Sequence, residues 1–494
     1  MADVHHFLAL DLGAESGRGE LVTLRDGDLE MEEVHRFANL PVRMGGTLYW
    51  NLPSLFGNVV EAIRRANDRG VTLSGISVDT WGVDFGLLGA DGKLLGLPVA
   101  YRDRRTEGIH EKTERIMPIR EIFMATALHT MPINTLFQLH AMQLEDSPLL
   151  EVADTFLMMP DLLSYYLTGR KVSEVTIAQT SQLVGKDCNW SPEITRNFSL
   201  PERMFPELVG PAEVIGPLLP EIAEQAGITY EVPVIASAAH DTGAAVGAVP
   251  GEGENWAFLS SGTWSIMGML VDQPIATEAA YDCGFTNEVT YGGWYFARNI
   301  LGLWLVQELR RKWDTADDAW DYDRMTAEAA EAPSGLLVDV DDQRLLAPAD
   351  MEAALKDLLR ESGQMMPASR GELVRCVLES LALLYGWGLD QMGEMTGNSP
   401  SALYIVGGGI RNQLLCQFTA NAAGIPVHAG VDQGTAVGNA LGQALALGVI
   451  DSPQTIRDIV RDSFEVRTYQ PQDPDEWTEK RQRFSKLQGS HAWG

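Results

Sequence analysis

Basic residues are scarce in this 494-residue sequence: 37 Lys and Arg stand against 68 Asp and Glu, which gives a net charge of −31 at pH 7. A polyanion of this strength is repelled by phosphate backbones and by anionic lipid surfaces. We therefore expect neither a nucleic-acid partner nor a membrane partner. The same shortage of basic residues raises the question of how the chain could bind an anionic ligand.

Cysteine and long apolar runs are scarce as well. The four cysteines, Cys188, Cys283, Cys376 and Cys416, contain no C-x-x-C pair, so neither a disulfide framework nor a zinc knuckle is indicated. No apolar run approaches the roughly 18 to 20 residues that span a bilayer, and residues 1–6 are neither basic nor followed by a cleavable secretory pattern. We expect a cytoplasmic protein, with monomer and dimer both left open.

The common nucleotide and hydrolase signatures are also missing. The sequence contains no G-x-x-x-x-G-K-[ST] loop, no G-x-G-x-x-G after a strand, no H-E-x-x-H, no G-x-S-x-G and no H-R-D with D-F-G. What it does contain is a set of glycine-rich turns after short apolar strands. Such turns suit phosphate, because successive backbone N–H groups bind anions without cationic side chains.

Three of these turns are candidates for a nucleotide site. Residues 11–18, Asp-Leu-Gly-Ala-Glu-Ser-Gly-Arg, offer a carboxylate, two glycines, a hydroxyl and an arginine, which together could hold a divalent cation and the outer phosphates. Residues 260–263 offer hydroxyls and amides, and the triple glycine at 407–409 leaves a flat surface that an adenine or an α-phosphate would require. Each turn alone is equally consistent with a polar hairpin or a tight strand-to-helix connection.

Two further clusters suggest sugar chemistry. Asp241, within His-Asp-Thr-Gly at 240–243, is either the cap of a helix or a general base aimed at a hydroxyl. The cluster at 79–85, Asp-Thr-Trp-Gly-Val-Asp-Phe, places an aromatic ring beside carboxylates, as a sugar site does, but a core tryptophan with a surface aspartate explains it equally well.

The hydrophobic pattern predicts a mixed α/β chain. Helices are predicted at 55–66, 299–313, 372–395, 412–423 and 435–447, with helical periodicity over 121–166, and strands at 76–79, 85–88, 94–95, 232–236 and 403–406. Asp91 and Gly92 mark a hairpin between two of these strands. Gly397 marks the end of the helix at 372–395.

The sequence also indicates an internal duplication. A strand, a polar glycine turn and a second strand at 7–24 recur at 256–270. The segment 250–254, Pro-Gly-Glu-Gly-Glu, is the best candidate for an interdomain joint, and a hinge is expected near 248–253. We expect an N-terminal domain at 1–249, a C-terminal domain at 250–460 and a polar tail at 461–494, with a return of the tail to the N-terminal domain left open.

Seven blocks together carry a resemblance to a known family. In chain order they are D-L-G-A-E-S-G-R at 11–18, D-T-W-G-V-D-F at 79–85, M-P-I-N-T at 131–135, H-D-T at 240–242, S-S-G-T-W-S at 260–265, N-I-L-G-L-W at 299–304 and I-V-G-G-G at 405–409. Their order is similar to that in rhamnulokinases of the FGGY carbohydrate kinase family. The resemblance implies two duplicated α/β domains of the actin, hexokinase and Hsp70 type (ribonuclease H-like), each with a five-stranded mixed sheet, around a central cleft.

The resemblance also implies an activity, in which L-rhamnulose and ATP give L-rhamnulose 1-phosphate and ADP. Asp241 would accept the proton of the sugar 1-hydroxyl, and Asp11 would face Mg²⁺, directly or through water. The N-terminal domain would carry the sugar and phosphate site and the C-terminal domain the nucleotide site. The residues matched to the sugar site are Gly82, His240, Asp241, Thr242 and Asn299, and those matched to the ATP site are Ala14, Glu15, Ser16, Gly17, Arg18, Thr263, Gln307 and Gly409.

Three alternatives stay open at this point. The acceptor could be a related ketose such as L-fuculose or L-xylulose, because one hydroxyl or methyl group changes binding by only about 1 to 3 kcal/mol. A protein of the same fold could instead be an ATP-dependent conformational switch without sugar chemistry. A sugar-binding protein without catalysis would leave the nucleotide turns unexplained.

Overall fold

Strands and helices alternate along the chain, and the computed structural model describes them for residues 4–488. The strands are β1 (Val4–Leu12), β2 (Ser16–Arg25), β3 (Asp28–Ala38), β4 (Val42–Met44), β5 (Thr47–Tyr49), β6 (Gly75–Thr80), β7 (Phe85–Leu88), β8 (Thr155–Met158), β9 (Val172–Glu174), β10 (Glu207–Val209), β11 (Glu213–Pro217), β12 (Pro233–Ala236), β13 (Trp256–Ser261), β14 (Ser265–Val271), β15 (Phe285–Thr290), β16 (Gly293–Ile300), β17 (Ala402–Val406), β18 (Val427–Ala429) and β19 (Arg467–Tyr469).

The helices lie between and around these strands. They are α1 (Leu52–Asn67), α2 (Ile109–Thr113), α3 (Ile119–Thr126), α4 (Thr135–Leu144), α5 (Pro148–Val152), α6 (Met159–Thr168), α7 (Val175–Gln179), α8 (Pro192–Asn197), α9 (Pro220–Ala226), α10 (Asp241–Gly247), α11 (Glu278–Asp282), α12 (Trp304–Trp313), α13 (Tyr322–Glu331), α14 (Met351–Glu361), α15 (Arg370–Thr396), α16 (Gln413–Ala423), α17 (Gly434–Ala446), α18 (Pro453–Ser463) and α19 (Pro474–Phe484). Short 3₁₀ turns lie at Arg104–Thr106, Glu202–Met204, Gln343–Leu345 and Gly408–Arg411. Between residues 4 and 488, no helix is both long enough and apolar enough to cross a bilayer.

Two large mixed sheets share one plan. The first has the strand order β11-β12-β6-β1-β2-β3, and the second has the order β15-β16-β14-β13-β17-β18-β19. In each, an antiparallel pair (β1 with β2, β13 with β14) is extended by a third antiparallel strand on one side and by two parallel strands on the other. The duplication predicted from 7–24 and 256–270 is therefore confirmed.

The five strands expected in each sheet form the plan that the two sheets have in common, but each sheet also has further strands at its edges. The first sheet has six strands, because β11 pairs antiparallel with β12 at its edge. The second has seven, because β15 and β19 add one antiparallel strand at each edge. The expectation of five strands per sheet was therefore too low for both halves.

The hairpin of β1 and β2 brings charged residues to one end of the first sheet. The strand β1 is buried from Phe7 to Leu12, because both of its faces are covered. Its next-to-last residue is Asp11. Asp11 lies opposite Arg18 on the antiparallel β2 and beside Asp79 on the parallel β6. Two carboxylates therefore meet at the carboxyl ends of neighbouring parallel strands.

Helices α10 and α17 cross between the two sheets and join the halves. A Cβ atom added at Gly438 would lie 1.9 Å from the carbonyl oxygen of Ala244, so the two helices meet backbone to backbone. Helix α17 follows β18 of the second sheet in sequence, but it packs on β1 and β6 of the first sheet. Its Gln443 donates a hydrogen bond of 3.0 Å to the carbonyl of Leu8. Helix α10 packs on β15 of the second sheet. One apolar cluster consequently contains residues of both halves.

Some predicted elements differ from those in the structure. The helix expected from residue 299 begins only at Trp304, because residues 293–300 form β16 and pair with β14 and β15. The helical window at 121–166 is interrupted by β8, which pairs with β7. The predicted hairpin at Asp91 and Gly92 is present as one antiparallel bridge, between Leu88 and Leu94.

The expected C-terminal tail lies mainly against the second half. Within 461–488, β19 extends the second sheet and α19 packs on α15 and α16. Contact with the first half is made by α18, whose last residue, Ser463, accepts a hydrogen bond from the backbone N–H of Leu29. Contact with the N-terminal half is thus made by α18, and β19 and α19 after it pack with the second half.

The close crossing of α10 and α17 gives the first prediction. Gly438→Ala should lower the midpoint of thermal unfolding, because the added methyl group meets the backbone of Ala244, and overpacking costs about 1–3 kcal/mol. Gly434→Ala on the same helix is the matched control, since its Cβ would find its nearest atoms at 3.8 Å. Equal midpoints for the two variants would show that this crossing is not tight.

Candidate active site

A cavity of about 600 Å³ lies between the two halves and collects several of the predicted residues. Its wall from the first half includes the glycine turn that follows β1 and the helix start at α10, and its wall from the second half includes the turn between β13 and β14. The lining residues are Gly13, Ala14, Glu15, Ser16, Tyr101, Arg102 and Asp241 from the first half and Thr263, Trp264, Trp304 and Leu346 from the second. The cavity therefore needs both halves to be complete.

Asp241 is the carboxylate that faces this cavity. It is the first residue of α10, its side chain is 32% exposed, and its Oδ1 accepts hydrogen bonds from Thr242, at 2.6 Å from the backbone N–H and 3.2 Å from the hydroxyl. Oδ2 takes part in neither bond. The N-cap position belongs to His240, which makes no side-chain capping bond, so Asp241 does not cap the helix in the usual way.

Glu174 fixes the loop that leads to Asp241. Its carboxylate is buried at the end of β9 and accepts hydrogen bonds from the backbone N–H groups of Ala239, Thr176 and Ile177 at 2.9–3.2 Å. The Thr176 hydroxyl in turn accepts from the N–H of His240 at 3.1 Å. Burial raises the pKa of Glu174 to about 7, although these hydrogen bonds oppose the shift.

Asp11 lies beside the cavity, next to two other carboxylates. Its Oδ2 accepts a hydrogen bond of 2.9 Å from Nε of Arg18, and it is 7% exposed. Burial and the nearby charge of Asp241 raise the pKa of Asp11, while Arg18 lowers it. Asp79, fully buried in the adjacent strand, accepts a hydrogen bond of 2.6 Å from the amide of Asn439 on α17, and burial followed by the charge of Asp11 raises its pKa.

The residues at 82 and 83 occupy a strained turn after β6. Gly82 packs on Thr180, whose side chain would lie 3.1 Å from an added Cβ. Val83 has a φ of +70°, which is unusual for a β-branched residue, and three hydrogen bonds hold it there. The Val83 N–H donates to the Thr180 hydroxyl, and the Thr135 hydroxyl and the Gln138 amide donate to the Val83 carbonyl.

The aromatic cluster at 79–85 is part of the core rather than a sugar platform. Trp81 is 6% exposed and packs on Trp50 at 4.3 Å between ring centroids. Both indole N–H groups donate to Oδ2 of Asp84, at 3.0 and 2.6 Å, and the N–H of Tyr101 donates to the same atom at 3.1 Å. The core interpretation of this tryptophan was therefore correct, and Asp84 supports the cavity only through Tyr101.

The remaining predicted residues lie around the cavity without lining it. Gln307 on α12 accepts a hydrogen bond of 3.1 Å from the Thr263 hydroxyl. Gly409 follows β17 and packs on Ser261, whose hydroxyl would lie 2.0 Å from an added Cβ. Asn299 lies on β16 opposite Ile266 of β14, and Gly17 packs under the ring of Phe37.

Sequence reasoning missed five side chains that line the cavity: Tyr101, Arg102, Trp264, Trp304 and Leu346. Trp264 and Trp304 lie inside blocks that carried the resemblance, and their position beside predicted turn residues was a usable signal. Tyr101 and Arg102 lie in a loop with no motif. Arg102 lies 3.6 Å from Glu15, and only the three-dimensional structure brings these residues together.

Metal-ligating side chains are sparse at the site. Among residues 4–488, no group of three or more His, Cys, Asp and Glu side chains is arranged to hold a metal ion. A cation beside Asp11 would therefore take most of its ligands from water and from a bound phosphate. This is the usual way in which proteins hold Mg²⁺.

Comparison with known proteins supports one family over both halves. The N-terminal domain model of the FGGY family of carbohydrate kinases matches residues 6–247, and its C-terminal domain model matches residues 257–447. A rhamnulokinase from Bacteroides thetaiotaomicron is 41% identical over 476 residues, which cover 96% of this chain and 97% of that protein. A rhamnulokinase from Bacillus subtilis is 34% identical, with 96% of each chain covered.

Solved structures show the same fold at low identity. A xylulose kinase from Lactobacillus acidophilus superposes with a TM-score of 0.82 at 18% identity, and the match covers 98% of this chain and 97% of that one. A glycerol kinase from Plasmodium falciparum superposes with a TM-score of 0.80 at 15% identity, with coverage of 98% and 97%. The two-domain kinase fold expected from the sequence is confirmed.

The buried carboxyl of Glu174 gives the second prediction. Because its pKa is raised from 4.5 to about 7, the folded state binds a proton that the unfolded state has already lost, and stability should fall as pH rises from about 4.5 to about 7. The loss is at most about 3 kcal/mol. Glu174→Gln should remove this slope, so the wild type should lose thermal stability relative to the variant over that range.

The control for this experiment is Glu224→Gln, an exposed position on α9. Its thermal midpoint should follow that of the wild type at every pH. A Glu174→Gln variant whose midpoint runs parallel to the wild type from pH 4.5 to 7 would contradict the assignment.

Proposed function

The chain belongs to the FGGY family of carbohydrate kinases, and from this membership we propose that it transfers the γ-phosphoryl group of ATP to the 1-hydroxyl of L-rhamnulose. One observation supports the proposal: Asp241, the glycine turn at 13–16 and Thr263 of the second half line a single cavity. A base and two polar turns across one cleft are what phosphoryl transfer to an alcohol requires. The names of the rhamnulokinase relatives, at 34–41% identity, support L-rhamnulose as the acceptor.

Asp241 is suited to act as the general base. In the proposed step, the 1-hydroxyl oxygen forms a bond to the γ-phosphorus, the bond from that phosphorus to the β,γ-bridging oxygen breaks, and the hydroxyl proton passes to Asp241. ADP leaves with the electron pair of the broken bond. Because Thr242 occupies Oδ1 with two hydrogen bonds, Oδ2 is the oxygen placed to take the proton.

The other predicted residues serve as binding groups in this proposal. Gly82, His240, Thr242 and Asn299 contact the sugar. Ala14, Glu15, Ser16, Gly17, Arg18, Thr263, Gln307 and Gly409 surround ATP, with the nucleotide held mainly by backbone N–H groups at the turns after β1, β13 and β17. The sugar is thus placed mainly with the first half, with Asn299 reaching it from β16 of the second, and the nucleotide lies between the two halves.

Asp11 is the residue that fits a magnesium ion. It is a buried carboxylate at the end of β1, and burial and the charge of Asp241 raise its pKa. A nearby divalent cation would reverse this rise in pKa, because it favours the charged carboxylate. When bound, Mg²⁺ neutralises charge on the β- and γ-phosphates. Arg18 orients the Asp11 carboxylate through their hydrogen bond.

A panel of sugars tests the proposed reaction. We expect ADP release in a coupled assay to depend on L-rhamnulose and to be slower with L-fuculose and L-xylulose. Asp241→Asn should lower kcat by about 10²- to 10⁴-fold, because it removes the proton acceptor, while calorimetry still detects sugar binding. Asp68→Asn, an exposed position at the end of α1, is the matched control and should keep the wild-type rate.

Two outcomes would overturn parts of this proposal. Equal ADP release with and without a ketose would favour an ATP-dependent switch. Near-normal turnover by Asp241→Asn would remove Asp241 from the role of base.

Metal removal gives a further prediction. The two arginines near the phosphate turn are already engaged, Arg18 with Asp11 and Arg102 with Glu15, and the chain carries a net charge of −31. A triphosphate therefore depends on Mg²⁺ for charge neutralisation, and chelation should weaken ATP binding by roughly tenfold or more. Calorimetric titration of ATP with and without EDTA measures this, and an unchanged Kd would contradict it.

A further inference from the structure

Glu288 is a buried carboxylate of the second half that reaches the sugar side of the first half. It lies on β15, its side chain is 12% exposed, and its Oε2 is 3.0 Å from Nδ1 of His240. The same oxygen accepts a hydrogen bond of 2.8 Å from the hydroxyl of Tyr295, its partner in the register of β15 and β16. The second sheet thus fixes Glu288 on one side and presents it to His240 on the other.

His240 carries this contact on to Asp241. Nε2 of His240 lies 3.4 Å from Oδ1 of Asp241, and the imidazole is 13% exposed. A carboxylate at one ring nitrogen fixes the proton and the orientation of a histidine, and so defines what its other nitrogen can do. Tyr295, Glu288, His240 and Asp241 therefore form a continuous row from the second sheet to the proposed base.

The charges around His240 favour its protonated form. Three carboxylates face it: Glu288 from β15, Asp241 from its own helix and Glu174 from β9. Burial by itself lowers the pKa of His240, but the contact with Glu288 and the neighbouring carboxylates outweigh burial, and the pKa is raised. A protonated ring carries a proton on each nitrogen, and here Nδ1 lies 3.0 Å from Glu288 and Nε2 lies 3.4 Å from Asp241.

Other bonds already anchor β15 to the first half without charge. The N–H of Val289 donates to Oε1 of Gln179 at 2.8 Å, the N–H of Asn287 donates to the carbonyl of Ala127 at 3.0 Å, and the Thr290 hydroxyl donates to the carbonyl of Gly243 at 2.6 Å. A buried carboxylate costs desolvation energy that these neutral bonds avoid. Docking of the strand therefore does not account for a charged residue at position 288.

We infer that Glu288 is a positioning residue for phosphoryl transfer: it holds the imidazole of His240 in the orientation in which Nε2 faces Asp241 and the sugar beside it. This inference rests on the proposed function, in which His240 contacts the sugar. The proton of the sugar hydroxyl still passes to Asp241, and Glu288 itself touches no substrate. Since Glu288 belongs to the second half, the sugar side of the site is complete only when β15 lies against the first half.

Glu288→Gln tests the inference with a readout that needs no turnover. In protein labelled with ¹³C at histidine Cε1, the His240 signal is identified by its loss in His240→Gln. In Glu288→Gln its titration should move to lower pH by about one unit or more, because the partner charge is gone. We expect kcat/KM for L-rhamnulose to fall by about 10- to 100-fold, its alkaline limb to move to lower pH, and KM for ATP to stay unchanged.

Two further variants separate positioning from a structural role. Glu288→Asp keeps the charge and should restore most of the His240 titration. Gln179→Leu removes the neutral bond to Val289 on the same strand and should leave both the titration and the pH profile of the wild type unchanged.

The inference is overturned if His240 titrates alike in Glu288→Gln and the wild type, if Gln179→Leu shifts it equally, or if Glu288→Gln cannot fold. If the wild type releases no ADP with L-rhamnulose, and Glu288→Gln still shifts the His240 titration, the proposed function is refuted instead. An active kinase with an unshifted signal would refute only the role of Glu288.

Discussion

The hydroxyl of Tyr291 is the contact on which the arrangement of the two halves depends. Tyr291 lies in the turn between β15 and β16 and is 2% exposed; its hydroxyl accepts a hydrogen bond from the N–H of Ala238 and donates one to the carbonyl of Gly438, both at 2.9 Å. One side chain of the second sheet thus joins the loop before α10 to the helix α17. Ala238 precedes the proposed base by three residues, so the second half contributes to where Asp241 lies. Gly442 and Gly247 are required by the same constraint, because a Cβ added at either would lie 2.0 or 2.3 Å from the side chain of Tyr291.

Acidic side chains in this protein lie in the interior as well as on the surface. Asp79, Asp84 and Glu174 are each 1% exposed or less, and each is held by donors that the fold supplies: an amide, two indoles, or backbone N–H groups. A site built in this way can receive phosphate without a cluster of lysines, because its binding groups are dipoles at strand and helix ends. The acidity of the chain is therefore compatible with a nucleotide ligand, and in the proposed function charge neutralisation falls to a metal ion.

Local sequence signals predicted much of the fold, and long-range contacts account for what they missed. The two hairpins and the end of α15 at Gly397, with φ of +73°, follow from glycine placement and apolar runs. The helix at 299–313 was predicted to begin inside β16, because the pairing partners of that strand lie elsewhere in the chain. Asp241 and the turns could be predicted from motifs, but Glu288 and Asn439 could not, since each acts on a residue that is distant in sequence. Trp81 illustrates the same limit, because only its contact with Trp50 and Asp84 shows that it is buried.

The packing of α17 on the first sheet has a consequence for biosynthesis. Strand β1 is among the first segments to leave the ribosome, yet the helix that covers it and bonds to Leu8 through Gln443 is translated more than four hundred residues later. At about 5–20 residues per second this interval lasts roughly 20 to 90 seconds. Throughout that time an apolar sheet face remains uncovered on the nascent chain, which makes the N-terminal half a natural client for chaperones that bind exposed hydrophobic surface.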